Sequence, residues 1–155
     1  MDATKNPGIK INQIFLSRCH FETRNDALAL PPTTPVEDIP TKVKVRVGIS
    51  PDEKSGIVSV SVFTPKEEAA NSLYRFGIEF VAVVEQTDEP NMSLRDYVVK
   101  AGPAALYPFV RETLASLSGK GRFGPLWLPP MNLLALTTEL EQREWKPQEA
   151  SLATE

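Results

Sequence analysis

The most informative stretch of the sequence is YPFVRETLASLSGKGRFGPLWLPPMN, from Tyr107 to Asn132. It begins with apolar residues at helical spacing, which predicts a helix, and this pattern stops at residues 119–121, which read GKG. The apolar run from Phe123 to Met131 then contains three prolines. Because proline has no backbone N–H to donate, this run fits neither a helix nor an inner strand. The sequence therefore predicts an apolar, irregular segment between two helices.

Four strands are predicted upstream of this helix. The clearest is 41–50, where four apolar residues alternate with three basic ones, so that one face is apolar. The other three strands are predicted at 9–21, 57–64 and 72–85. A change of phase between Ile11 and Ile14 indicates a bulge in the first strand. A turn at 51–56 joins the second and third strands in a hairpin.

Helices are expected to cover the apolar face of this sheet. The candidates are 92–100, 104–117 and 133–143. Pro108 lies inside the second, which predicts a kink or a late start, and Asn132 suits the N-cap of the third. The predicted fold class is therefore α+β: a four-stranded antiparallel sheet packed with a long helix and a second, C-terminal helix.

Composition points to one globular domain. The chain has 155 residues, of which 41% are hydrophobic and 24% charged, with a formal net charge of -3. This mild acidity gives no reason to bind nucleic acid, and no apolar stretch approaches the roughly 20 residues that span a bilayer. The first residues lack the apolar core of a signal peptide, and a single cysteine suits a reducing compartment, so we expect a cytoplasmic protein. We predict a flexible start at 1–8, one domain at 9–144 and a polar tail at 145–155.

Residues suited to catalysis or metal binding are scarce. Cys19 and His20 are the only cysteine and histidine, too few for a metal site of the usual Cys/His type. As neighbours in a strand they would point to opposite faces, which excludes a Cys-His nucleophilic pair. The glycines at 119–121 are better explained by a helix C-cap than by phosphate binding. We therefore predict no enzyme activity, no metal and no cofactor.

The helix and the irregular segment resemble the SecB family of bacterial export chaperones. That family carries an aromatic-Pro-aromatic-x-Arg-Glu helix, a glycine, an F-P-x-L-x-L-x-P-V-N segment and a second helix. The matching residues here are Tyr107, Pro108, Phe109, Arg111, Glu112, Gly121, Phe123, Leu126, Leu128, Pro130 and Asn132. Upstream, the resemblance rests on strand order, chain length and the pair Phe21-Glu22. It implies a homotetramer, built as a dimer of dimers, that holds unfolded polypeptides without ATP before export through the SecA motor.

The resemblance also implies where clients bind. In the family they lie in grooves between the crossover loop after the first strand and the loop that joins the helices. The expected client-binding residues are Phe123, Pro125, Leu126, Trp127, Leu128, Tyr107, Tyr74 and Phe76. Large aromatic faces suit such binding because they contact many extended sequences at low ordering cost. The alternative for Phe123, Leu126 and Leu128 is that they only cover the sheet.

Charge sets this chain apart from the family. SecA docks on acidic residues of the exposed sheet face; Glu22 keeps one such position, whereas Arg18 and Arg75 replace two others. Like-charge contacts are disfavoured at a docking site, so weak or absent SecA binding is expected. Three functions remain open: a general export chaperone, a SecB-like chaperone dedicated to one client such as an antitoxin, and an oligomeric protein of the same fold that binds a small ligand.

Overall fold

The structure, a computed structural model, describes residues 8–36, 39–87, 92–131 and 143–144. Four long strands come first, two helices follow, and a two-residue strand lies near the end of the chain. The elements are β1 (Ile9–Thr23), a 3-10 helix (Asn25–Ala29), β2 (Lys42–Ile49), β3 (Ser55–Phe63), β4 (Tyr74–Gln86), α1 (Leu94–Lys100), α2 (Gly102–Ser118) and β5 (Arg143–Glu144). The predicted α+β class is confirmed, with the four-stranded antiparallel sheet and the long helix in place.

The sheet has the strand order β1-β4-β3-β2-β5. Its four long strands are antiparallel neighbours, and β5 adds a short parallel pairing at Gly48 and Ile49 that the sequence did not predict. The register of β1 on β4 shifts between Ile11 and Gln13, which confirms the predicted bulge, and shifts again between Leu16 and Arg18. These two shifts keep apolar residues of β1 on the helix side of the sheet despite their change of phase.

One face of the sheet is covered by the helices and forms the core. Alternation in β2 buries Val45 and Val47 and leaves Lys44 and Arg46 exposed, as the pattern predicted. Both α1 and α2 pack on β3, and α2 also packs on β4. The opposite face is called the outer face below. It carries the even-numbered residues of β2 and the odd-numbered residues of β3 and β4.

The two helices meet at a tight corner. Ser93 caps α1 by accepting a hydrogen bond from the Asp96 N–H at 3.1 Å. Of the kink or late start predicted from Pro108, the late start does not occur: Pro108 lies inside α2, which begins at Gly102, and Pro103 occupies the first turn, where its missing N–H costs nothing. A Cβ at Gly102 would lie 2.8 Å from Cγ2 of Val58, so only glycine lets the helix start this close to β3.

Several predicted features fall on the ends of the chain. The predicted helix at 133–143 lies outside the described residues except for Arg143, which lies in β5, so the prediction is wrong at that residue. The predicted tail at 145–155 and residues 1–7 also lie outside the described part. Gly8 is described, and its carbonyl accepts a hydrogen bond from the Thr87 N–H at 2.8 Å. The domain boundaries remain predictions.

Candidate functional site

The irregular segment 122–131 is tied to the sheet by the hydroxyl of Tyr74. This side chain is fully buried; its oxygen accepts a hydrogen bond from the Phe123 N–H and donates one to the Gly124 carbonyl, both at 2.8 Å. Its ring lies between Phe21 and Phe123, with centroids 4.8 and 5.8 Å away. Backbone groups that a helix or strand would pair are satisfied here by one phenol. Burial raises the pKa of Tyr74, and the bond from the Phe123 amide works against that rise.

Two further hydroxyls hold the same segment. Ser118 Oγ accepts a hydrogen bond from the Leu126 N–H at 2.8 Å and donates to the Leu114 carbonyl at 2.6 Å. Tyr107 donates to the Pro129 carbonyl at 2.6 Å, which joins α2 to the far end of the segment. Burial raises the pKa of Tyr107, while the charge of nearby Arg111 lowers it, so the phenol keeps its proton at neutral pH. The segment is therefore fixed along its length without regular secondary structure.

A close approach at Gly121 allows this arrangement. A Cβ there would lie 2.8 Å from the Tyr74 hydroxyl oxygen, in the space that the phenol occupies. Gly124 has a positive φ of 83°, a conformation that glycine adopts without steric cost. Gly119 is the C-cap of α2, which confirms the predicted helix end, and Gly121 and Gly124 serve the turn into the segment.

Side chains of the segment divide sharply into inward and outward sets. Phe123, Leu126 and Leu128 are buried in the core cluster. Trp127, between two of them, is 65% exposed, and the prolines of the segment are exposed as well. The segment thus presents an indole and its prolines to solvent while its other apolar side chains fill the core.

The segment forms one wall of a groove, called the crossover groove, whose other wall is the loop after β1. Its volume is about 570 Å³, within the range of ligand pockets. It is lined by Pro32, Thr33, Thr34, Pro35, Val36, Phe123, Pro125, Leu126, Trp127 and Pro129. None of these side chains is charged, so the groove offers apolar surface, backbone groups and the hydroxyls of Thr33 and Thr34. Arg122 links the two walls by donating to the Leu30 carbonyl at 3.2 Å.

A second groove, called the helix groove, lies on the other side of Trp127. Its volume is about 480 Å³. It is lined by Ala104, Tyr107, Pro108, Arg111, Glu112, Trp127, Pro130 and Met131. Unlike the crossover groove it includes one basic and one acidic side chain. Because Trp127 lines both grooves, a ligand that crosses from one to the other would contact the indole.

The predicted client-binding residues therefore occupy three kinds of place. Phe123, Pro125, Leu126 and Trp127 line the crossover groove, and Tyr107 lines the helix groove. Leu128, Tyr74 and Phe76 are buried in the core and support the segment from beneath. The wall at 32–36 belongs to the crossover loop that the resemblance implied, although no residue of that loop was among the predicted client-binding residues. Client contact by any of these residues stays a prediction.

The predicted partner-docking residues lie together on the outer face. Arg75 Nε lies 3.1 Å from a carboxylate oxygen of Glu22, its partner in the register of β1 and β4. Arg18 stands opposite Glu79 in the same register. The basic charge of Arg75 is thus balanced locally, a feature that the sequence alone did not reveal. SecA docking at these residues stays a prediction.

Neither a metal site nor a membrane-spanning helix is found among the described residues. No group of three or more His, Cys, Asp or Glu side chains in this part of the chain could hold a metal ion. No helix among the same residues is long and apolar enough to cross a membrane.

Comparison with known proteins identifies relatives over almost the whole chain. A family model described as preprotein translocase subunit SecB matches residues 2–144. The protein-export protein SecB of Xanthobacter autotrophicus is 26% identical over 140 residues, which cover 89% of this chain and 88% of the relative. The protein of the same name from Rhodopseudomonas palustris strain BisA53 is 24% identical over 152 residues, covering 97% and 93%.

A solved structure shares the fold. A Mycobacterium tuberculosis SecB-like chaperone, in complex with a ChAD peptide from the HigA1 antitoxin, aligns with a TM-score of 0.57 at 19% identity. The alignment covers 80% of this chain and 88% of that chain. This identity is low, so the likeness shows the fold alone.

Removing the Tyr74 hydroxyl should loosen the segment. In Tyr74→Phe the ring packing remains, but the Phe123 N–H and the Gly124 carbonyl lose their partner, which should cost about 1–3 kcal/mol in the free energy of unfolding. Chemical denaturation at neutral pH measures this cost, and faster hydrogen exchange of the Phe123 amide would locate it.

Tyr97→Phe is the matched control. Tyr97 is half-buried on α1, and its hydroxyl has no hydrogen bond among the described residues. Its removal should therefore change stability by a few tenths of a kcal/mol at most. Equal losses in the two variants would contradict the anchoring role of Tyr74.

Proposed function

The chain belongs to the SecB family, and we propose that it is an ATP-independent chaperone that binds unfolded polypeptides and keeps them competent for export by the Sec pathway. The family match and the names of the curated relatives support this function. As parts of the same proposal, the protein acts in the cytoplasm and has no catalytic activity. Its ligands are extended segments of other chains that expose apolar side chains.

The observation that carries the proposal is the crossover groove with Trp127 at its rim. An unfolded client differs from a folded one in its exposed apolar side chains and its unpaired backbone groups. The groove meets the first with uncharged, mostly apolar walls. Such a surface selects for extended apolar chain and not for one sequence.

The hydroxyl anchors make this surface ready before a client arrives. Three prolines, at 125, 129 and 130, stiffen the segment, and Tyr74, Ser118 and Tyr107 fix its backbone. Ordering a binding loop costs free energy at the moment of binding, so a preformed loop keeps more of the contact energy as affinity. This explains how a weakly selective groove binds without nucleotide.

A dedicated chaperone is the second candidate function. The structural neighbour from Mycobacterium tuberculosis is a SecB-like chaperone in complex with an antitoxin peptide, and the same fold here suits the same use. The basic side chains Arg18 and Arg75, where the family has acids, also favour a route that bypasses SecA. On this reading the client is one cognate protein, such as an antitoxin.

Self-association is the second part of the proposal. Among the described residues β1 pairs only with β4, so its other edge is open along a fifteen-residue strand. Ile11, Phe15 and Leu16 on this strand are 39%, 37% and 47% exposed, and Phe109 of α2 is also exposed beside Phe80. An open edge with apolar side chains promotes aggregation unless another chain covers it. We infer a homotetramer built as a dimer of dimers.

Removing the indole should weaken client binding. Trp127→Ala should reduce affinity for an unfolded client by about 1–3 kcal/mol if the residue is a hot spot, because both grooves lose their shared wall. The measurement is the delay of aggregation of a denatured client without nucleotide, together with the dissociation constant for a fluorescent unfolded peptide. Trp127 is mostly exposed, so the fold should survive the change.

Met92→Ala is the control, because Met92 is also an exposed apolar side chain but lines neither groove. It should leave client protection unchanged. If Trp127→Ala protects clients as well as the parent protein does, the client-binding role of the grooves is wrong. Phe123→Ala is a poorer test, because Phe123 is buried against Tyr74 and its loss would disturb the fold.

The assembly proposal predicts a homotetramer in solution that dissociates to dimers on dilution. Leu16→Asp should shift the mass towards smaller species, because a carboxylate on the open edge of β1 is costly to bury. Light scattering with multi-angle detection measures the mass directly. A monomer at micromolar concentration for the unmodified protein would contradict the proposal.

Binding to a SecA that serves an ordinary acidic SecB should be weak or absent. Arg18→Asp combined with Arg75→Glu should strengthen it, because the first change restores an acid and the second also frees Glu22 from its ion pair. The gain should be largest at low ionic strength, where charges are least screened. Tight binding by the parent protein that the reversal weakens would overturn the charge argument and favour the general export role.

A further inference from the structure

The outer face of the sheet has an excess of positive charge in a chain that is negative overall. The chain carries a formal net charge of -3. Pairing and alternation place six basic and three acidic side chains on this face. They are Lys10, Arg18, Lys42, Lys44, Arg46 and Arg75, with Glu22, Glu79 and Glu85. Because the whole chain is negative, the residues outside this face must carry an excess of acidic side chains. The outer face and the rest of the surface therefore favour partners of opposite charge.

Four of these cations, Lys10 among them, form no ion pair within the described residues. Lys42 and Arg75 form ion pairs, with Glu67 at 3.0 Å and with Glu22 at 3.1 Å. Within the part of the chain that the structure describes, Lys44, Arg46 and Arg18 are exposed and form no ion pair. Their charges are therefore open to an external ligand.

The spacing of the β2 cations is regular. Lys42, Lys44 and Arg46 occupy alternate positions of one strand, so neighbouring side chains stand about 7 Å apart on the same face. An extended peptide with carboxylates at alternate positions has the same repeat. Laid along β2, it would bring each carboxylate to a cation without distortion of either chain.

The surface beside these cations suits a polypeptide. Ser59 and Ser61 of β3 are small, which lets a chain approach closely, and the neighbouring Ile57 and Phe63 are partly exposed. The interspersed carboxylates, by contrast, would repel the uniform negative charge of a nucleic-acid backbone or an anionic membrane. A protein segment can place its acids to avoid them.

We propose that the outer face of the sheet binds an extended acidic segment of a partner protein, with Lys44 and Arg46 as its main contacts and Arg18 as a further cation across the sheet. The face is opposite the helices and the two grooves, so a client and this partner fit on one protomer together. The proposal goes beyond the chaperone function and does not depend on it. A chaperone with two such surfaces can hold a client on one face while it docks through the other.

The test uses two peptides of identical composition. In one, six glutamates alternate with threonines; in the other, the same glutamates are contiguous. Binding measured by fluorescence anisotropy on the full chain at low salt should favour the alternating peptide by roughly tenfold, because only that peptide matches the repeat of β2. Added salt should weaken the binding.

Matched charge variants locate the site. Lys44→Glu with Arg46→Glu should weaken binding of the alternating peptide by roughly tenfold or more. Lys100→Glu with Lys120→Glu makes the same change in net charge at exposed positions of the helix side, and should weaken it by about twofold at most. Lys44→Gln with Arg46→Gln serves if the reversal impairs folding, and should show an intermediate loss.

Three outcomes would overturn the proposal. Equal loss in the two reversal variants would mean that only net charge matters, and equal affinity for the two peptides would exclude an extended register. The third outcome is tighter binding to a DNA duplex or to phosphatidylglycerol vesicles than to the alternating peptide. If Lys44→Glu with Arg46→Glu abolished that binding, the face would be assigned to nucleic acid or membrane. Client protection measured on the same variants should not change, which separates this test from that of the chaperone function.

Discussion

The phenolic hydroxyl of Tyr74 accepts a hydrogen bond from the Phe123 amide and donates one to the Gly124 carbonyl, inside the core. An apolar segment with three prolines has no regular partner for its backbone, and unpaired buried groups would cost more than the apolar contacts return. The phenol resolves this conflict at the start of the segment, and Ser118 and Tyr107 resolve it further along. Without these bonds the segment would have no fixed path, and neither groove would have a wall.

The exposure of Trp127 follows from this anchoring. The Leu126 N–H donates a hydrogen bond to Ser118 Oγ, and the side chains of Leu126 and Leu128 are both buried, while Trp127 between them points outward. The same geometry that fills the core thus presents an indole between two grooves. The surface of the two grooves is in this sense a consequence of how the core is closed, and several of its residues also serve packing.

The outer face of the sheet carries charged side chains, on the side opposite the helices and the two grooves. Strand alternation and cross-strand register determine where its charges lie. They leave Lys44 and Arg46 exposed and pair Arg75 with Glu22. Family membership accounts for the fold, whereas the basic excess of this face follows from the residues that this chain carries on its strands. A SecB-family protein whose sheet face is basic should choose different docking partners from one whose face is acidic.

Local pattern was enough to predict the strands, the long helix and an irregular apolar segment after it, because alternation, helical spacing and proline chemistry act over a few residues. Local pattern did not by itself single out Trp127, which the family resemblance placed among eight candidate client-binding residues. It failed where the outcome depended on distant parts of the chain: β5 beside β2, and the early start of α2 against Val58.

Tertiary packing sets which side of the segment faces the core. The bond that sets this joins residues 49 positions apart, Tyr74 and Phe123. Such a contact leaves no periodic trace in the sequence, since a tyrosine at position 74 looks the same whether its hydroxyl meets water or an amide. Residue chemistry along the chain therefore predicts an apolar, irregular segment, and the packing of that segment on the sheet sets which of its side chains reach the surface.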